Sequence, residues 1–237
     1  MQHLKLENHE LNPFLEHIKH LNLPFEHVPQ QHKVLVYTPQ QEKIAVLRYS
    51  IYQELIGSDF FQSKEFFNHV ILGVRAGLAG LLCYDNGTLV DHKVFRAYMV
   101  RKKQGKSQIN YLKTKGKSRA GSRVRLGETK IFFQEIAERL AQYDTHMRVD
   151  HVFLSCATTL IPFLFKDNTV LQQAKSRRAI SKIPFHISQP THENLLKAQH
   201  QLTFNQVLIK ENQFIDSQQL KKIIAKSDGF SGLDEDW

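Results

Sequence analysis

Residues 70–100 read VILGVRAGLAGLLCYDNGTLVDHKVFRAYMV, and this stretch decides the fold. Val70–Val74, Gly80–Tyr84 and Lys93–Val100 are apolar or alternating runs rich in β-formers. Asp85-Asn86-Gly87 follows the second run. Asn and Gly tolerate positive φ, so this triplet is a strong turn signal. The pattern predicts an antiparallel meander of roughly three strands. It ends at Val100, where the chain abruptly becomes basic.

Beyond the meander, Arg101 to about Gly121 has no sustained apolar period and contains Gly105, Gly116 and Gly121. A loop this long inside a compact domain is commonly functional or disordered. Phe132, Ile136, Leu140 and Tyr143 then recur at helical spacing. They predict a helix over at least Glu128–Tyr143, with room for an earlier start near Ser122. His151–Cys156 reads as a buried strand, Val170–Lys175 as a helical segment and Ile183–Ile187 as a further strand. Thr191 to about Leu208 reads as a long helix with a Thr cap, and Ser217–Lys226 as a last one.

On the amino-terminal side, Leu11, Phe14, Leu15, Ile18 and Leu21 mark an amphipathic helix. Lys33–Tyr37 and Lys43–Tyr49 predict two short strands, and Tyr52–Asn68 a helical pattern interrupted near Gly57-Ser58-Asp59. The expected class is α/β, a mixed sheet packed with helices and carrying a long basic loop. Its expected division is an accessory layer over 1–60, a main domain over 61–210, and a helix with an acidic tail over 211–237.

Charge gives the first functional signal. The chain carries a formal +9, from 32 Lys and Arg against 23 Asp and Glu. From His92 to Gly127 there is no acid at all, while twelve of the basic residues fall there, Lys93 and Arg96 first. A solvated face mixes its signs, so this segment suits phosphates. Arg101, Lys102, Lys103, Lys106, Lys113, Lys115, Lys117, Arg119, Arg123 and Arg125 are the candidate RNA-binding residues. The polar start of the chain lacks the apolar stretch of a signal peptide, and no run approaches a membrane span. The expected location is the cytoplasm, with no membrane partner. Cys83 and Cys156 both sit in apolar runs and read as buried thiols.

The basic loop reads Arg101-Lys102-Lys103-Gln104-Gly105-Lys106-Ser107-Gln108, followed later by Ala120-Gly121-Ser122. With the strand that enters it and the helix that leaves it, this order resembles the Vms-like release-factor domain. That family comprises peptidyl-tRNA hydrolases of ribosome-associated quality control, related to the GGQ-bearing central domain of the eukaryotic class-one release factor. The resemblance covers roughly Val70–Tyr143 and implies a fold similar to that central domain. It implies that Gln108 is the catalytic glutamine, with Gly105 and Ser107 shaping its turn. Lys106 stands where the family usually has a second glycine, and Val124-Arg125-Leu126-Gly127-Glu128 keeps only loosely the basic motif after Ala-Gly. The chain resembles a stand-alone, bacterial-type member. The implied partners are the large ribosomal subunit and peptidyl-tRNA, with no cofactor.

The chemistry fits a glutamine. Its amide does not titrate, so it cannot act as a strong base, but its carbonyl can hold a water against an ester while backbone N–H groups face the developing oxyanion. Two rivals stay open. One is a non-catalytic ribosome or RNA binder that kept the charges, a reading raised by Lys106. The other is a tRNA-cleaving nuclease in which Asp85, Asp91 and Asp150 gather a metal, although turn chemistry already accounts for acids near Asn86-Gly87. His17-x-x-His20, with His9, His27 and His32 nearby, reads as an exposed face rather than a metal site. His151 with Ser155-Cys156 matches no nucleophile–base spacing. Asp234–Trp237 is either a docking peptide or a solvated tail.

Overall fold

The computed structural model describes residues 2–97 and 117–210, together with 212, 214–216, 218, 220 and 222; for 117–126 it describes the backbone alone. The chain divides into two compact units, 1–65 with 200–237, and 66–199.

In the first unit an antiparallel sheet runs in the order β1-β12-β4-β3-β2. These strands are β1 (Gln2–Leu6), β2 (Phe25–Val28), β3 (Lys33–Tyr37), β4 (Lys43–Arg48) and β12 (Asn205–Ile209). Helix α1 (Leu11–His20) buries Leu11, Phe14, Leu15 and Ile18, the stripe its spacing predicts. The carboxyl-terminal β12 sits between β1 and β4, so the sequence-based boundaries at 60 and 210 do not follow these units. Sheet pairing joins chain ends that sequence order keeps apart. Buried Asn205 fixes the junction: its Oδ1 accepts the Ser50 N–H at 2.7 Å, and its Nδ2 donates to Asn8 Oδ1 at 2.9 Å.

Residues 52–68 correct the expected helix. They hold a hairpin, β5 (Gln53–Ile56) and β6 (Phe60–Ser63). Gly57 and Ser58 have φ of 54° and 66°, which ends any helix there. Gln53 and Leu55 alternate inward, and Asn12 of α1 clamps the Phe61 backbone, accepting its N–H at 2.5 Å and donating to its carbonyl at 3.0 Å.

The second unit holds a mixed sheet in the order β11-β10-β7-β8-β9. The expected meander is present as β7 (His69–Arg75), β8 (Leu78–Asp85) and β9 (Thr88–Arg96). Asn86 and Gly87, at φ of 44° and 88°, form its second turn. Strand β10 (His151–Cys156) runs parallel to β7, and β11 (Ile180–Lys182) runs parallel to β10. The strand expected over 183–187 thus lies earlier; Pro184 has no N–H to give a ladder. Helices α2 (Lys117–His146), α3 (Ile161–Lys166) and α4 (Thr169–Ser176) complete one cluster with the sheet, in which Phe132, Ile136 and Leu140 pack with Val70, Leu72 and Leu81.

Helix α5 (His192–Leu202) is shorter than expected, because Asn205–Ile209 leaves it to pair as β12. Thr203 to Leu208 fit a helical pattern locally, but pairing on both sides of β12 outweighs that propensity. The last predicted helix, Ser217–Lys226, falls largely outside the described residues. So do Asp234–Trp237.

Candidate functional site

The basic segment has two roots, the end of β9 and the start of α2. At the first, the ladder closes with the Ala97 N–H donating to the Gly77 carbonyl at 3.0 Å. At the second, the chain is helical from Lys117, several residues before the expected start. Lys117, Arg119, Arg123 and Arg125 therefore stand on α2. Gln108, Gly105 and Ser107 lie outside the described residues, as do Arg101, Lys102, Lys103, Lys106, Lys113 and Lys115.

What fixes the second root is the body of α2. Phe132, Ile136, Leu140 and Tyr143 recur at i, i+4, i+8 and i+11, placing them on one face, and all are buried. A polar latch lies at the end of this row. The Tyr143 hydroxyl donates to Asp91 Oδ2 at 2.7 Å, the Arg139 guanidinium pairs with the same carboxylate, and Arg139 Nε donates to the Tyr143 oxygen at 3.3 Å. Burial by itself would raise the Asp91 pKa. Hydrogen bonds from Tyr143 and the His92 N–H, with the Arg139 charge, outweigh it and hold the carboxyl below its ordinary value. Burial, then the Asp91 carboxylate, pushes the Tyr143 phenol upward.

The sheet's opposite face has another construction. Gly73 and Gly80 are a cross-strand pair. A Cβ on Gly73 would sit 2.5 Å from Pro190 Cβ, and one on Gly80 would sit 2.6 Å from Leu195 Cδ1. Only bare backbone lets the 188–191 turn and α5 come this close. Asn194 braces that turn, its Nδ2 donating to the Gln189 carbonyl at 2.9 Å and its N–H to Thr191 Oγ1 at 3.3 Å.

The other candidate groups come out as follows. Asp85, Asp91 and Asp150 do not assemble a metal site. Asp85 pairs with Thr88 across the turn, Asp91 is held by Arg139 and Tyr143, and Asp150 Oδ2 accepts the Asn68 N–H at 3.0 Å. Asp91 is mid-strand rather than a turn acid, because the turn is only Asn86-Gly87. No group of three or more His, Cys, Asp and Glu able to hold a metal occurs among the described residues. His17 is half-buried and His20 exposed. His151 Nε2 lies 2.8 Å from Ser181 Oγ, and the Cys156 thiol donates to the Ala157 carbonyl at 3.3 Å. Burial pushes the Cys83 thiol to about 12 and the Cys156 thiol to about 11, which keeps both from acting as thiolates. No helix among the described residues is long and apolar enough to cross a membrane.

Comparison with known proteins adds the decisive observation: the family model of the Bacteroidetes VLRF1 release factor matches residues 69–210. The chain belongs to that release-factor family. The VLRF1 match opens on the first residue of β7 and closes just past β12, so it spans both roots and the segment between them. The chain is 29% identical over 136 residues to the tRNA endonuclease VMS1 of Saccharomyces cerevisiae, an alignment covering 56% of this chain and 21% of the yeast protein. It thus spans about a fifth of that relative's length. A solved structure described as the Vms1 mitochondrial localization core aligns with 86% of this chain and 87% of its own at 17% identity and a TM-score of 0.46. The family match and the alignment with yeast VMS1 bear out the Vms-like resemblance.

Proposed function

We propose that this VLRF1-family chain is a peptidyl-tRNA hydrolase that frees nascent peptide from tRNA on stalled large ribosomal subunits. The observation that carries the reading is the family match across 69–210, which brackets the acid-free segment bearing Gly105-Lys106-Ser107-Gln108. In this mechanism the Gln108 carbonyl holds the attacking water against the ester carbon. Backbone N–H groups stabilise the oxyanion, and the tRNA hydroxyl leaves. Gly105 and Ser107 shape the turn. Arg101, Lys102, Lys103, Lys106, Lys113, Lys115, Lys117, Arg119, Arg123 and Arg125 neutralise RNA phosphates, and the ribosome supplies the walls that exclude other water. No cofactor takes part. The site of action is the cytoplasm.

The deciding measurement is release of labelled peptide from peptidyl-tRNA on isolated large subunits. Wild type releases peptide and leaves the tRNA intact; Gln108→Ala loses at least about a hundredfold in rate, as removal of a water- or oxyanion-positioning group does, while still binding the subunit. Release surviving that substitution excludes the mechanism.

The name of the yeast relative, a tRNA endonuclease, favours a second reading in which the tRNA itself is cut. Shortened tRNA in the same assay, dependent on the basic segment, would establish it. Binding without release or cutting would mark a non-catalytic ribosome factor.

A further inference from the structure

We propose that Arg75 and Arg96 form a clamp for one RNA phosphodiester on the sheet face opposite α2; the proposal rests on the ribosomal reading above. The sheet register puts the pair together. Leu78 is the cross-strand partner of Arg75 on one side and of Arg96 on the other. Directly paired residues project from the same face, so the arginines flank Leu78 with backbones about 10 Å apart, two strand spacings. Both line a cavity of about 520 Å³ with Leu78, Gln189, Pro190 and Thr191. No acid lines it.

The cavity is prepared for an anion. Arg75 is half-buried, and its Nη2 donates to the Ile187 carbonyl at 2.8 Å and lies 3.1 Å from His186 Nδ1. Those contacts fix the guanidinium plane. Its Nε and Nη1 form no hydrogen bond with another described residue, so each keeps an N–H to donate singly to a phosphate oxygen. Arg96 is exposed and forms no ion pair among the described residues. The far wall is the 188–191 turn, braced by Asn194 and seated on Gly73 and Gly80. The acid nearest in sequence, Glu193, is paired with Lys197 at 2.6 Å. Arg96 is also the last residue of β9, where the acid-free segment departs. A phosphate gripped here would set the register of an RNA strand entering that segment without reading its sequence.

The test uses the full chain with Arg75→Gln, Arg96→Gln, the double variant and Arg75→Lys, and exposed Lys43→Gln of the other unit as a control. Binding to a tRNA acceptor-stem minihelix and to tRNA-free large subunits is measured from low to moderate salt. Each glutamine variant weakens binding about five- to tenfold, and the double variant lowers the salt slope by about one, as loss of one phosphate contact requires. Arg75→Lys keeps the slope but only part of the affinity, because an ammonium cannot hold the Ile187 and His186 contacts and donate outward as the planar guanidinium does. Lys43→Gln changes neither. A loss confined to the minihelix assigns the phosphate to tRNA, and one confined to subunits assigns it to ribosomal RNA. Arg96→Gln is exposed and controls for any folding defect in Arg75→Gln. Glutamine variants that bind like wild type with an unchanged slope overturn the clamp, as does a wild type that binds neither RNA. If the arginine variants lose affinity but wild type releases no peptide, the clamp stands and the hydrolase reading falls. Normal binding by these variants, beside a Gln108→Ala that has lost release, gives the reverse.

Discussion

On one face of the β7–β8–β9 sheet, Val74, Ala79 and Phe95 meet α2 through side chains, in a cluster that includes Phe132, Ile136 and Leu140. On the other, Gly73 and Gly80 offer no side chain, and the 188–191 turn rests almost on the backbone. The first construction gains stability from apolar area, and it roots the helix that emerges from the basic segment. At the two glycines the second gains little area, although Ile71, Leu82 and Phe153 elsewhere on that face are fully buried. This construction brings the 188–191 turn close enough that Arg75 and Arg96, at the end of the same face, line a cavity with it. Both faces bury apolar side chains, but only the one that carries the turn also bears the two arginines, and β9 contributes to both.

The largest effect is expected from breaking the first face. Phe132 is 1% exposed and lies among the largest fully buried side chains. Phe132→Ala should cost about 3–5 kcal/mol in unfolding free energy, the transfer loss plus an unfilled cavity. Equilibrium denaturation reads this as a lower midpoint with an unchanged slope. A cost below about 1 kcal/mol would mean that α2 is not seated by this cluster.

The second face fails by the opposite operation, adding an atom. In most strands Gly→Ala is neutral or stabilising, since it restrains the unfolded chain. At Gly80 the new Cβ meets the Pro190 carbonyl and Leu195 Cδ1. Leucine can rotate away, but the proline backbone cannot without displacing the turn. Gly80→Ala should therefore destabilise by about 1–3 kcal/mol. It should also weaken RNA binding, because the turn is a wall of the Arg75–Arg96 cavity. Phe132→Ala should leave the affinity of the folded fraction nearly unchanged. Equal effects on binding would dissolve the distinction between the faces.

How legible this was in the sequence follows from how local each cause is. The meander was readable because alternation and Asn86-Gly87 both act over a few residues, and the buried face of α2 because its spacing is regular. The hairpin at 53–63 was not, since its apolar residues suit a helix as well as two short strands and only the positive φ at Gly57 and Ser58 decides. Strand β12 was absorbed into the helix before it because its partners, β1 and β4, come from the far end of the chain. The same contrast holds for function. The basic segment was visible as charge along the chain. Arg75 and Arg96 meet only through the register of Leu78, and the Asp91 latch only because β9 begins immediately after a two-residue turn.

That latch supplies the smallest and sharpest prediction. Asp91 is the polar tie between β9 and α2, the two roots of the basic segment, and its pKa is held below the ordinary carboxylate value. A group whose folded pKa is depressed contributes stability above its unfolded pKa, and loses it as pH falls through the folded one. Asp91→Asn should therefore lower stability by about 1 kcal/mol at neutral pH; Asp91 and Arg139 are each about a third exposed, 34% and 33%, so solvent screens much of their attraction. The difference from wild type should shrink as pH drops below the ordinary carboxylate range and vanish once Asp91 is protonated in the folded protein. Urea midpoints across that acidic range measure it. A difference that persists undiminished there would assign Asp91 a packing role. A difference that disappears would identify the latch as electrostatic, with charge rather than shape joining β9 to α2 where the apolar row ends.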